Sequence, residues 1–363
     1  MTISTRSLLN GTAWTVGGYG LGTLLRFVTN IILARLLAPD VFGTMLIVYT
    51  LKMGIEMISD VGIGQNIVYN KNAEDPEFYN TAWTLQLIRS LFLWLAFVVA
   101  AIPLAHFYQS PILAAVVPIT AFSLVFTGLT SISKPLLQKR LLIARTNVYE
   151  TLMALIGAVA TILFAYFSPT IWALVYGGLI QAAVSMIASY FLLPDVKQKF
   201  HLSKRYSKQI LHFGKWIFVS SIVFFLSMYV DRLYLGAVVP LELLGIYGIA
   251  RSISDLSGNL VLRLGNVVLF PFIASHSQTP RDDLRTRLTS IRMKFLLLAA
   301  FGFAVFIATA DLAIKVLYDE RYQEASWILP ILIAGSWFSV LAYVNESTLL
   351  GQDREPRSRD EDR

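Results

Sequence analysis

The chain of 363 residues contains no cysteine. That excludes disulfides, thiolate metal sites and S-palmitoylation. Histidine is scarce, and four scattered residues argue against a His-based metal site. Charge is thin as well: 15% of residues are Asp, Glu, Lys or Arg, against 56% hydrophobic. There is no G-x-x-x-x-G-K-[ST] phosphate loop, so the chain is not expected to power itself with ATP. Gly17, Gly18, Gly20 and Gly22 lie inside an apolar run rather than after a strand, where glycine serves close helix packing or bending. With a mean hydropathy of +0.62, a soluble protein of this size would have nowhere to bury its hydrocarbon surface. The expected fold is therefore all-α, a polytopic integral membrane protein.

Stretches of roughly 20 mostly apolar residues match a hydrocarbon core about 30 Å thick. Ten emerge: Gly11–Leu37, Val41–Ile67, Thr81–Phe107, Pro111–Ser133, Thr151–Ser168, Ile171–Leu193, Phe213–Val239, Leu243–Ile273, Phe295–Ile314 and Ala325–Leu350. The net charge of +7 invites a nucleic-acid reading, but its placement argues for a membrane. Basic residues crowd alternate loops, as at Lys134, Lys139, Arg140 and Arg145, or at Lys197, Lys199, Lys204, Arg205 and Lys208. The loops between, near His106–Ser110, Ser168–Thr170 and Pro240–Glu242, carry almost none. This positive-inside pattern predicts both termini in the cytoplasm. Segment Asn70–Asn80 fits it least, since Glu74, Asp75 and Glu77 outnumber Lys71 there.

The longest polar stretch, Asp195–His212, divides the chain. It suggests a six-helix lobe over 1–194, a basic linker over 195–212, a four-helix partial lobe over 213–351 and a polar, disordered tail over 352–363. Each lobe opens with a related block. Asn30 precedes Pro39 by nine positions and Gly43 follows it by four; Asp231 precedes Pro240 by nine and Gly245 follows by five. Such internal repeats are common in transporters, with the substrate path between the related halves.

Four spans carry polar stripes at helical spacing. The first has Tyr19, Thr23, Arg26 and Asn30; the second Lys52, Glu56 and Asp60. The seventh has Ser220, Ser227 and Asp231; the eighth Arg251, Asp255, Asn259, Arg263 and Asn266. If the repeat holds, these are the equivalent helix pairs of the two lobes, and their stripes are expected to face a water-filled central cavity. A charge at the bilayer centre costs at least ~2.5–3.5 kcal/mol, so facing lipid is the expensive alternative. Lys52 with Glu56 and Arg251 with Asp255 also fit plain i, i+4 pairs that neutralise each other. Arg26 has no acid within two turns of its own helix, and a guanidinium suits bidentate contact with phosphate. Arg89 and Asp311 are single charges in their spans, open to pairing across helices with partners that the sequence does not name. Glu56 and Asp60 lack a nucleophile or metal nearby, so no catalytic residue and no metal site is assigned.

The run Ala34-Arg-Leu-Leu-Ala-Pro-Asp-Val-Phe-Gly43 resembles the opening signature of the polysaccharide transporter family, as does Ser59-Asp-Val-Gly-Ile-Gly-Gln-Asn-Ile-Val68. This is the Wzx-like flippase branch of the multidrug/oligosaccharidyl-lipid/polysaccharide exporter superfamily. Further matches are Phe213-Gly-Lys-Trp216, Asp231-Arg-Leu-Tyr-Leu-Gly236, Leu244-Gly-Ile-Tyr-Gly-Ile-Ala250, Leu269-Phe-Pro-Phe272 and Tyr318–Trp327. The resemblance implies a two-lobed helical transporter of the bacterial inner membrane. It would move lipid-linked oligosaccharide or polysaccharide by alternating access. On that resemblance Arg26, Asn30, Lys52, Arg251, Asn259 and Arg263 are the substrate-binding candidates, with the arginines on the sugar-pyrophosphate. Glu56, Asp60 and Asp255 are candidates for H⁺ or Na⁺ coupling, and no other cofactor is implied. The expected partners are the lipid-linked glycan, membrane lipids and other polysaccharide-assembly membrane proteins, with no nucleic acid. Family members continue past Leu349-Leu-Gly351 into further helices, so the second lobe is expected to be incomplete.

Three alternatives accompany this reading. A drug/cation antiporter of the same superfamily would prefer cavity acids without basic partners. A membrane glycan polymerase or ligase would need a long outer loop, and none is present. A truncated, non-transporting remnant is the third.

Overall fold

The computed structural model describes residues 5–275 and 281–351, and among the described residues there is no strand. The first five helices are α1 (Thr5–Leu36), α2 (Pro39–Ile58), α3 (Ile63–Tyr69), α4 (Pro76–Phe107) and α5 (Leu113–Ala121). Then come α6 (Ser123–Leu129), α7 (Ser133–Lys139), α8 (Ile143–Phe167) and α9 (Ile171–Ser189). The last four are α10 (Lys204–Val238), α11 (Leu241–Ser275), α12 (Arg281–Leu317) and α13 (Ala325–Gly351). The expected polar tail lies outside the described residues.

Among the described residues, seven helices (α2, α4, α8, α9, α10, α12 and α13) are long and apolar enough to cross a membrane. The bent pair Leu113–Leu129 and Ser133–Lys139, which meet at 53°, is long and apolar enough when taken together. The two expected spans outside this set are α1 and α11, which carry polar stripes. Large apolar side chains point outward, as bilayer-facing helices require: Phe92, Val99 and Ile102 on α4, and Leu297, Leu298 and Phe301 on α12.

Two expected spans are not continuous helices. The second stops at Ile58 and resumes at Ile63, because Gly62 takes a left-handed φ of 66°. Such a residue cannot continue a right-handed helix, and glycine adopts the conformation without steric cost. The fourth is interrupted at Thr130–Ile132, where Thr130 leaves helical geometry at ψ 138°.

Contacts divide the chain into Met1–Gly245 and Ile246–Arg363. In the first unit α1 packs on α8, α8 on α9, and α4 on α5 and α6. Helix α10 packs on α2 and α4, which is why this boundary falls beyond the polar stretch at 195–212.

That stretch is docked rather than loose. The backbone N–H groups of Lys199, His201 and Ser203 donate to Asn80 Oδ1, Thr84 Oγ1 and Thr81 Oγ1 at 2.8, 3.1 and 3.1 Å. The two-residue step of an extended strap thus meets the polar face of the first turns of α4. Tyr206 donates to Asp75 Oδ2 at 2.9 Å, which pushes its phenol pKa up. Tyr206 and Ile210 join α3, α7 and the start of α4 in one apolar cluster with Phe78, Trp83 and Leu136.

Arg140 completes this end of the unit, donating to Glu74 at 3.0 Å and to Asp195 at 3.1 Å. Its guanidinium holds the Asp195 carboxyl below the usual carboxylate range. The acids of Asn70–Asn80, which fitted the charge rule least, therefore sit beside the basic segment at 134–145 and the strap. All three segments share one end of the first unit.

Away from that end, the two glycines matched by the repeat meet. A Cβ on Gly43 would overlap the Leu241 carbonyl, and one on Gly245 would overlap that of Pro39. The first turns of α2 and α11 thus cross backbone to backbone. In the second unit α12 packs on α13, and Ser254 of α11 lies 3.1 Å from Ser336 of α13.

Candidate functional site

The acidic end of α2 is built by three elements. Lys52, Glu56 and Asp60 share a face because they are four residues apart. Lys52 and Glu56 do not close to salt-bridge distance, yet their opposite charges attract across one turn as the i, i+4 reading expects. Glu56 and Asp60 are also met by Arg89 from α4. Arg89 Nη2 donates to the Glu56 carbonyl at 2.5 Å, and Nη1 lies 3.9 Å from Asp60 Oδ1. Nε and Nη2 of Arg89 also donate to Ser59 Oγ at 3.1 and 3.0 Å. Asp60 Oδ1 accepts the Gly62 N–H at 3.0 Å, which shapes the turn into α3.

On α1, Arg26 is exposed and its Nε donates to the Gly22 carbonyl one turn back, at 3.3 Å. No described acid pairs with it. Four residues on, the Oδ1 of Asn30 is buried without a hydrogen-bond partner. An unmet acceptor next to an unneutralised guanidinium is a place for a polar ligand or ordered water. The structure does not bring Arg26 or Asn30 into a bond with the stripe of α2. The side chain of Tyr19 lies outside the described residues.

On α11 the expected pair forms: Arg251 Nε donates to Asp255 Oδ1 at 2.9 Å. Asn259 is exposed and Arg263 partly so, beside the buried face of Ile249, Ala250, Ile253 and Ser254. The stripe thus runs beside the seam with α13 and is not buried in it. Asn266 has no described side chain. On α10, Asp231 is half-buried, Ser220 and Ser227 are exposed, and Arg232 lies over the Tyr229 ring at 4.7 Å. Asp311 pairs with Lys315 at 2.7 Å. Lys204, Lys208 and His212 border an open cleft of about 540 Å³ at the start of α10.

Sequence reasoning left Arg89 unassigned because its partners lie on another helix. The available signal was Ser59-Asp-Val-Gly62, a turn sequence inside an apolar run, which marks a helix end in need of a cap.

Residues 32–327 match the model of a family described as polysaccharide biosynthesis protein. Among curated relatives, the succinoglycan biosynthesis transport protein ExoT of Rhizobium meliloti (strain 1021) is 23% identical, over 91% of this chain and 66% of the relative. A putative O-antigen transporter of Shigella flexneri is 23% identical, over 94% of this chain and 84% of the relative. The lipopolysaccharide biosynthesis protein WzxC of Escherichia coli (strain K12) is 22% identical, over 89% and 65%. The chain thus spans about two thirds of the length of ExoT and WzxC. Among solved structures, the lipid II flippase MurJ in an inward closed conformation has a TM-score of 0.72 at 13% identity, over 96% of this chain and 77% of that one. An inward-facing multidrug resistance MATE family transporter of the MOP superfamily has a TM-score of 0.59 at 16% identity, over 91% and 83%. A multi-pass helical membrane protein whose fold is like that of these two solved structures, matched by the family model over most of its length, this chain belongs to the polysaccharide biosynthesis protein family.

Proposed function

We propose that the chain transports a lipid-linked oligosaccharide or polysaccharide across the bacterial inner membrane by alternating access, as a transporter and not an enzyme. The observation that carries this is Arg26, a guanidinium on α1 whose one described bond is to a carbonyl of its own helix. A permanent cation with no acid beside it among the described residues suits an anionic ligand. Asn30, Lys52, Arg251, Asn259 and Arg263 supply further polar and cationic groups along the same stripes. The names of the relatives agree, being transport and biosynthesis proteins for succinoglycan, O-antigen and lipopolysaccharide. The antiporter alternative is less favoured because Asp60 and Asp255 each have an arginine beside them. Coupling to H⁺ or Na⁺ through Glu56, Asp60 or Asp255, and contact with other polysaccharide-assembly membrane proteins, belong to this proposal.

The test is expression in cells lacking their own glycan flippase. Relief of the lipid-linked oligosaccharide that accumulates on the cytoplasmic face is expected. Continued accumulation with the chain present in the membrane would count against the reading.

The same proposal places both termini and the end gathered by Arg140 in the cytoplasm. Single cysteines at Gln138 and Lys197, both exposed there, are expected to resist an impermeant thiol reagent added outside. One at Glu242, exposed at the start of α11, is expected to react. Position 198 is a poorer probe, since Gln198 Nε2 donates to Ser131 Oγ at 2.8 Å. Labelling of Lys197→Cys from outside would invert the orientation.

A further inference from the structure

Two helix breaks lie against α4, and each is closed by a side chain of that helix. At the first, Arg89 reaches the Glu56 carbonyl, Ser59 Oγ and the Asp60 carboxylate. At the second, Gln86 Nε2 lies within donating distance of the carbonyls of Thr127, Gly128 and Thr130, at 3.0, 3.1 and 3.2 Å, where α6 gives way to α7. Tyr190 adds a bond to the Leu129 carbonyl at 2.7 Å. A broken helix exposes carbonyls that no amide of the same helix reaches, and in hydrocarbon such groups must be met by protein.

Past the breaks, α3 and α7 pack on each other and share the apolar cluster with the first turns of α4 and α10. The two short helices are therefore one layer, joined to the long helices through the two breaks. Arg89 and Gln86 are three residues apart and project from one face of α4. One helix thus controls both joints.

The two caps differ in charge. The carbonyl, hydroxyl and carboxylate oxygens gathered at the α2 break form the kind of donor set that a hard cation takes. Arg89 places a covalently attached cation against it. Gln86 meets only carbonyls, and a neutral amide suffices.

We propose that Arg89 is a positioning residue, a tethered cation that closes the α2–α3 break and holds the α3–α7 layer at a set angle to α2, with Gln86 as its neutral counterpart at the α6–α7 break. The kinetic part of this proposal rests on the transport reading; the structural part does not. The side-chain charge, and not its bulk, does the holding.

The cysteine-free chain allows spin labels at Met53→Cys on α2 and Gln65→Cys on α3, both exposed positions, to report the angle across the break. Pulsed electron resonance is expected to give one narrow distance distribution for the labelled parent. Arg89→Met, similar in length and uncharged, is expected to broaden it, and Arg89→Lys to restore it. In proteoliposomes, Arg89→Met is expected to slow flipping at least about tenfold, as misplacement of a remote support does, while the affinity for the lipid-linked glycan changes little. Arg89→Lys is expected to recover most of that rate. A distribution for Arg89→Met as narrow as the parent's would overturn the proposal, and so would equal behaviour of the Met and Lys variants. Should the labelled parent flip nothing, the transport reading fails on its own, and the distance comparison still decides the role of Arg89.

Discussion

Gly43→Leu is expected to leave little folded protein in the membrane. The first turns of α2 and α11 cross so closely that a Cβ at Gly43 meets the Leu241 carbonyl, with the Gly245 amide next nearest. The obstacle is backbone, which cannot step aside as a flexible side chain does. Overpacking a well-filled site typically costs about 1–3 kcal/mol, and a rigid backbone neighbour puts this one at the upper end or beyond. Gly245→Leu is expected to behave the same way, because its Cβ meets the Pro39 carbonyl. Gly302→Ala on α12 is the control. Nothing lies within 4 Å of a Cβ there, so removing a helix-interior glycine is expected to stabilise by roughly 0.5–1 kcal/mol. The measurement is the yield of monodisperse protein in detergent together with its thermal midpoint. A Gly43→Leu variant with parental yield and midpoint would show that the crossing opens without cost.

Arg26→Ala is expected to abolish transport while leaving the amount of protein in the membrane unchanged. The described bond that the substitution removes is a 3.3 Å contact to the Gly22 carbonyl of the same helix, so little packing is lost. What disappears is a cation, and a charge-assisted bidentate contact to phosphate is about twice as strong as a neutral one. Arg26→Lys is expected to retain part of the activity, since the charge stays and the planar fork is lost. The readout is flipping in proteoliposomes, normalised to protein by immunoblot. Full transport by Arg26→Ala would remove this residue from the substrate site.

Much of this architecture is legible in the residues themselves. Six of the ten apolar runs correspond to single helices that meet the demands of a bilayer, a seventh to α2 followed by the short α3, and an eighth to a broken pair. Hydrocarbon imposes a length and an apolar content that composition alone records. The stripes were legible for a related reason. A charge recurring every three or four residues fixes a helix face wherever that face points, and Arg251 with Asp255 formed its pair at the expected spacing. The two glycines that the proposed repeat aligns, Gly43 and Gly245, meet in the structure.

Other features required partners distant in the chain. Lys52 and Glu56 attract each other at the expected spacing without closing to contact distance. Glu56 also offers its carbonyl to Arg89, 33 positions away. The strap at 199–203 reads as a basic linker, yet its amides bind side chains of α4 more than a hundred positions earlier.

The sequence by itself determined that this protein crosses a membrane many times and which helices carry charge, because apolar length and helical period are local properties; the family was carried by its motifs. Only the tertiary structure decided where the second and fourth spans break, which side chains close the exposed carbonyls, and that Gly43 and Gly245 touch. A helix end takes its missing partner from whatever lies nearest in space, and neighbours in space are not written in any local period.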